Sequence, residues 1–175
     1  MSAFEDLVCR RRSIRKYQDR PVEEEKLEKI LKVALMAPSS KRCQPWHFLV
    51  VSEKDKLQKM SVCREMGCAF LDNAPMAIII LADESLSDVW VEDASIAASY
   101  IQLAAEDLGL GSCWVQVRNR LKSEDLTTEN YLKEMINAPE NMRVECIIAV
   151  GYKLEEKSPF DESKLKWEKV KRNSF

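Results

Sequence analysis

Two short stretches of this 175-residue chain concentrate side chains that could hold a small charged ligand. The first is Arg10-Arg11-Arg12-Ser13-Ile14-Arg15-Lys16, a dense run of cations in a chain whose formal net charge is −2. An arginine fork grips two oxygens of one phosphate together, and Ser13 adds a hydroxyl donor. Two readings of the run stand side by side: a solvated or nucleic-acid-facing surface, and a site for a small anion. The second stretch is Ala37 to Trp46, where Pro38 and Pro45 bracket Ser39, Ser40, Lys41, Arg42, Cys43 and Gln44. Prolines at both ends exclude a continuous helix or a central strand, so hydroxyls, cations and an amide are offered on a loop.

Regular elements must position both stretches. Phe4, Leu7 and Val8 make a short amphipathic helix ahead of the cationic run. Leu27, Ile30, Leu31, Ala34 and Leu35 follow i, i+3, i+4 spacing, which predicts a helix over about 23–36, and Pro38 ends it by biasing Ala37 out of helical geometry. A strand from His47 to Val51 leaves the loop. Residues 53–73 read as a helix plus an irregular segment. Met76 to Ala82 is uninterruptedly apolar, the mark of a strand covered on both faces. Residues 89–108 predict a long helix rich in alanine, apolar round much of its girth, hence central or at a subunit interface, with Gly109 past its end. A strand over 111–117, a helix over 128–136 capped by Thr127 or Thr128, and a strand over 144–150 closed by Gly151 complete the core. The charged tail, about 153–175, is too polar to fold alone and is expected to wrap a partner subunit.

Composition excludes several classes. A chain 46% hydrophobic and 32% charged reads as globular, and its length suits a single domain spanning 1–175. Its four glycines, Gly67, Gly109, Gly111 and Gly151, cannot assemble a phosphate loop, which removes Rossmann and P-loop readings. The lone histidine, His47, falls in a predicted strand, a poor base for Ser-His or Cys-His catalysis. Six cysteines occur without any Cys-x-x-Cys, so neither a zinc site nor another metal is expected. Glu5 and Asp6 stand where a signal peptide would be apolar, and no apolar run reaches the ~18 residues of a membrane span. The expectation is a cytoplasmic protein without a membrane partner. Net charge and the lack of aromatics interleaved with the cations count against nucleic acid.

Taken as an ordered set, Arg11 to Arg15, Pro38-Ser39-Ser40 with Gln44-Pro45-Trp46, Leu108 to Trp114, and Ile148 to Tyr152 resemble the nitroreductase family of flavoenzymes over roughly residues 5–152. The resemblance implies an α+β fold with a mostly antiparallel sheet flanked by helices. It also implies an interlocked homodimer, FMN at the subunit interface, and NADH or NADPH as electron donor. In that family Arg11, Arg12, Ser13 and Arg15 would hold the ribityl phosphate and the pyrimidine edge, with Arg15 stabilising the anionic reduced flavin. Pro38, Ser39 and Ser40 would reach the same FMN from the other subunit, with Gln44 in the same loop. Trp114, Val115 and Gln116 would line the isoalloxazine ring, and Lys164 and Lys166 are candidates to complete the phosphate site.

Two departures from the family pattern stand out. Arg42 occupies a position usually held by Asn, and could meet the phosphate of an incoming nicotinamide cofactor. No Asn occurs near Met66, where relatives often carry one, and Arg64 is the nearest polar substitute. The implied reaction is ping-pong: hydride passes from NAD(P)H through flavin N5 to a nitroaromatic, quinone or similar acceptor, with no side-chain acid or base. The alternatives are reductive dehalogenation or flavin fragmentation, for which residues 117–127 leave little room for a lid, and a non-catalytic flavin-binding regulator.

Overall fold

The computed structural model describes residues 2–175. In chain order the elements are α1 (Ala3–Arg10), α2 (Glu24–Leu35), β1 (Trp46–Val51), α3 (Lys54–Met60), β2 (Met76–Asp83), α4 (Trp90–Asp107), β3 (Gly111–Gln116), β4 (Leu121–Ser123), β5 (Leu126–Thr127), α5 (Thr128–Ile136) and β6 (Met142–Gly151). Local chemistry sets several boundaries. Ser2 and Glu5 exchange side-chain and backbone bonds in a capping box that starts α1. Thr127 Oγ1 accepts from the Asn130 amide at 3.1 Å to start α5, and Asn137, in the left-handed region at φ 51°, ends it.

Four strands form one antiparallel sheet in the order β1-β2-β6-β3. Met76 to Ala82 of β2 are all buried, as an apolar run without alternation requires. Alternate residues serve two cores. Ile78 and Ile80 face α2 and α4, packing with Ile30, Ala34, Ala94, Ala98 and Ile101. Ala77, Ile79 and Leu81 face α3 and α5, packing with Leu57, Met60 and Leu132. The α+β architecture and its antiparallel sheet match the expectation, and α4 lies where the alanine-rich helix was predicted.

Two features depart from the sequence reading. The charged stretch after β3 folds into the β4–β5 hairpin, and β6 carries a bulge: Ile80 pairs with Cys146 but Leu81 with Val144, leaving Glu145 without a partner on β2. Beyond β6 the chain turns back over its own α1, where the Phe160 amide donates to the Cys9 carbonyl at 2.8 Å. Leu165, Trp167 and Val170 of this tail stay exposed.

Candidate functional site

The cationic run is built onto the free edge of β3. Ser13 forms a parallel bridge with Ser112, the Ile14 amide donates to the Ser112 carbonyl at 3.0 Å, and the Ile14 side chain is buried. Gly111 permits this approach: a Cβ there would lie 2.8 Å from the Ile14 Cβ. The stretch after β6 locks the segment from outside. Lys157 donates to the Ser13 carbonyl, Arg12 donates to the Ser158 carbonyl, and Glu155 Oε1 accepts from the Arg15 amide at 2.6 Å. That amide bond holds the Glu155 carboxyl below its ordinary pKa. The backbone is therefore committed, whereas the guanidinium groups of Arg11 and Arg15 have no hydrogen bond or ion pair among the described residues.

The Pro38 loop is held from below. The Ser40 amide donates to Asp93 Oδ1 at 2.8 Å, and the buried Asp93 accepts from Ser87 Oγ at 3.0 Å through its other oxygen. The Gln44 amide donates to Ser39 Oγ at 3.0 Å. Between them Lys41, Arg42 and Gln44 take left-handed backbone, at φ 49°, 59° and 47°. Such residues cluster where surrounding structure over-determines them, commonly at ligand sites. Pro38, Arg42 and Gln44 are exposed, and Pro45 and Trp46 are buried beneath them.

At the end of β3, Trp114 Nε1 donates to Gln116 Oε1 at 2.8 Å, Gln116 Nε2 donates to the Arg118 carbonyl at 3.0 Å, and Arg64 Nη1 donates to the Gln116 carbonyl at 3.2 Å. Trp114 and Gln116 share one face of the strand, while Val115 turns its side chain into the α3–α5 core and offers a ligand only its backbone. Arg64 thus stands beside Gln116.

One protomer brings the cationic run and Trp114-Val115-Gln116 to one edge of the sheet. The Pro38 loop, with Ser39, Ser40, Arg42 and Gln44, enters β1 at the opposite edge. Three strand spacings, roughly 14 Å, separate β1 from β3. Lys164 sits on the tail, 3.5 Å from Asp161 Oδ2, and Lys166 is exposed two residues on. No group of three or more potential metal ligands exists among the described residues, and no helix among them is long and apolar enough to cross a membrane. Sequence reading passed over Asp93. The signal was there: four residues before Ala97, it lies on the buried stripe of α4, where a carboxylate needs partners.

A two-core α+β unit, with an arginine-bearing segment on one sheet edge and a polar proline-bracketed loop at the other, defines a class recognisable in known proteins. The Nitroreductase family model matches residues 8–67 and 58–152, and the chain belongs to that family. A solved FMN-dependent nitroreductase from Clostridium difficile R20291 is 54% identical, with a TM-score of 0.95 over 97% of this chain and 98% of that one. An Archaeoglobus fulgidus protein provisionally named NADH dehydrogenase/NAD(P)H nitroreductase is 41% identical over 89% of this chain and 88% of its own length. An iodotyrosine deiodinase from Thermotoga neapolitana is 28% identical over 87% of this chain and 89% of its own.

Proposed function

We propose that the chain is an FMN-dependent NAD(P)H oxidoreductase acting as a homodimer. Each flavin is held by the Arg11–Arg15 segment and β3 of one protomer and by the Pro38 loop of the other. The observation that carries this reading is the pair of uncommitted guanidinium groups, Arg11 and Arg15, on a backbone locked to the β3 edge. The donor set fits FMN: paired cations and the Ser13 hydroxyl suit a phosphate and an electron-rich ring edge without a glycine loop. The FMN-dependent relative at 54% identity supports the same cofactor. Exposed Phe4, Leu35, Met36 and Ile96, on or next to α1, α2 and α4, supply apolar surface for a second copy. The chain as one domain, its six unpaired cysteines and a cytoplasmic location accord with this reading.

When bound, FMN supplies the two-electron relay between NADH or NADPH and an acceptor such as a nitroaromatic or a quinone. The protein binds, orients and excludes water. Arg11, Arg12 and Ser13 hold the phosphate, with Lys164 and Lys166 as the tail cations it would draw in. Arg15 stabilises negative charge at the pyrimidine edge. Trp114, Gln116 and the Val115 backbone line the ring, while Pro38, Ser39, Ser40 and Gln44 close it from the partner. The exposed Arg42 meets the phosphate of the nicotinamide donor. Dehalogenation is the lesser reading, because the β4–β5 hairpin is too short to cover a substrate.

The test is the absorbance spectrum and mass in solution of the purified protein, then anaerobic titration with NADH and NADPH. Bound flavin should bleach and recover with a nitroaromatic. Colourless, monomeric protein indifferent to added FMN overturns the reading.

A further inference from the structure

Glu145 is a carboxylic acid held almost wholly out of water. It is only 4% exposed, and it occupies the bulge where β6 loses its register with β2. Its carbonyl accepts from two successive amides, Val117 at 3.3 Å and Arg118 at 3.1 Å, and so fixes the end of β3. The Gln116 amide and the Ser95 hydroxyl lie beside its carboxyl. Even so, Oε2 is buried with no hydrogen-bond partner among the described residues. An orphaned buried oxygen costs free energy that a hydrophobic residue would not, so its presence calls for a role. Bulges next to functional strands re-aim side chains, and this one places a carboxyl beside Gln116, whose Oε1 accepts from Trp114 Nε1.

We propose that Glu145 is a positioning residue of the flavin site, a buried carboxyl at the β6 bulge that, through Gln116, sets the hydrogen bonding of Trp114. This rests on the reading of β3 as the flavin-side strand. Burial pushes the acid upward, against the Arg118 cation, the Gln116 amide and the Ser95 hydroxyl, and the Glu129 carboxylate adds to the upward push. Those groups come from β3 and the residues after it, α4 and α5; the neighbouring Cys146 thiol on β6 is itself pushed upward by burial. Gln116 has two amide hydrogens and one is committed to the Arg118 carbonyl, so the other is free to answer the charge state of Glu145. When Glu145 ionises, its carboxylate draws that second hydrogen, polarises the amide and strengthens the bond Gln116 Oε1 accepts from Trp114 Nε1.

The first readout needs no flavin, so it survives failure of the cofactor reading. In flavin-free protein the Trp114 indole N–H resonance, assigned by its loss in Trp114→Phe, should shift in one titration step. Glu145→Gln, which keeps shape and volume, should abolish that step, and Glu145→Asp, which keeps an ionisable group, should move it. Below the pH of that step, an infrared band of a protonated carboxyl should be present and should vanish in Glu145→Gln. An indole titration unchanged in Glu145→Gln, or no such band in the wild type, overturns the proposal. With FMN bound, Glu145→Gln should remove a break in the pH dependence of the flavin's midpoint potential. A break that persists overturns the positioning role even if the indole step behaves as expected.

Discussion

The Ser40 amide donates to the Asp93 carboxylate at 2.8 Å, and this bond ties the Pro38 loop to the first turn of α4. Asp93 is buried, and its second oxygen is occupied by the Ser87 hydroxyl at 3.0 Å. A charge-assisted pair in a dry setting can hold a strained loop, and strain is present in three left-handed non-glycine residues close together in sequence. The α4 helix thereby sets the shape of a loop that lies far from the arginine segment.

Replacing Asp93 with Ala leaves the Ser40 amide and the Ser87 hydroxyl without their acceptor. Urea unfolding should show a loss of about 1–3 kcal/mol, with a smaller loss for Asp93→Asn, which keeps one acceptor oxygen. FMN affinity, read by quenching of flavin fluorescence, should fall by roughly tenfold or more, because the relaxed loop no longer presents Ser39 and Ser40. Undiminished affinity in a destabilised variant would remove the loop from the site.

Much of this was legible in the residues. The unbroken run Met76 to Ala82 reads as a doubly covered strand, and the alanine spacing of α4 as a helix that is central or at a subunit interface. The cations of the Arg11–Arg15 segment were visible as charge, and the structure adds the β3 edge that displays them. What stayed hidden depends on tertiary context. Lys41, Arg42 and Gln44 adopt left-handed backbone without a glycine to announce it, in a loop whose Ser40 amide is tied to Asp93 on another element. The β6 bulge is silent because Val144 to Val150 reads as one strand whether or not Glu145 is looped out. The β4–β5 hairpin has no Asn-Gly or Asp-Gly signal and is mostly exposed, so no apolar alternation marks it.

Gly111 separates packing from binding. A Cβ there meets Ile14 Cβ, Cγ1 and Cγ2 at 2.8–2.9 Å, so Gly111→Ala must push the Ser13–Ile14 segment off β3. Overpacking of this kind costs about 1–3 kcal/mol in thermal or urea unfolding. Flavin binding should suffer more than stability, because Arg11 to Arg15 move with the displaced backbone. A compensating Ile14→Val should recover part of both, and a flavin affinity that tracks stability alone would count against the segment as the phosphate grip.

Two carboxyls, the half-buried Glu129 and the buried Glu145, should shape stability against pH in opposite directions. Burial pushes the Glu129 carboxyl up, but the Arg143 guanidinium at 2.8 and 3.0 Å, with the Val144 amide at 3.0 Å, brings it below its ordinary 4.5. Its contribution is therefore full above that value and is lost as pH falls through the depressed pKa of the folded state. Glu145 is raised by burial, so the folded protein holds its proton longer than the unfolded chain, and stability declines as pH rises from 4.5 toward the folded-state pKa. Denaturant midpoints across pH should show Glu129→Gln flattening the acid limb and Glu145→Gln flattening the decline above 4.5. Unaltered limbs in both variants would sink the assignment.

Among the described residues the side chains of Arg11 and Arg15 are uncommitted while their backbone is fixed: the Arg15 amide meets Glu155 and the Arg11 amide closes α1 on the Leu7 carbonyl at 3.0 Å. A side chain spared from structure can be changed without unfolding the chain, so Arg11→Ala and Arg15→Ala should keep near-wild-type unfolding midpoints. Each should lose one charge-assisted contact, weakening FMN binding by roughly ten- to a hundredfold. The two should differ in kind. If Arg11 faces the phosphate, its removal should weaken FMN far more than riboflavin, which lacks that group. If Arg15 faces the pyrimidine edge, its removal should weaken both alike and lower the flavin's midpoint potential, since the anionic reduced form loses its counter-charge. Isothermal titration with the two flavins, followed by a redox titration of the holoprotein, separates these outcomes; equal losses for both flavins in Arg11→Ala would reassign it away from the phosphate.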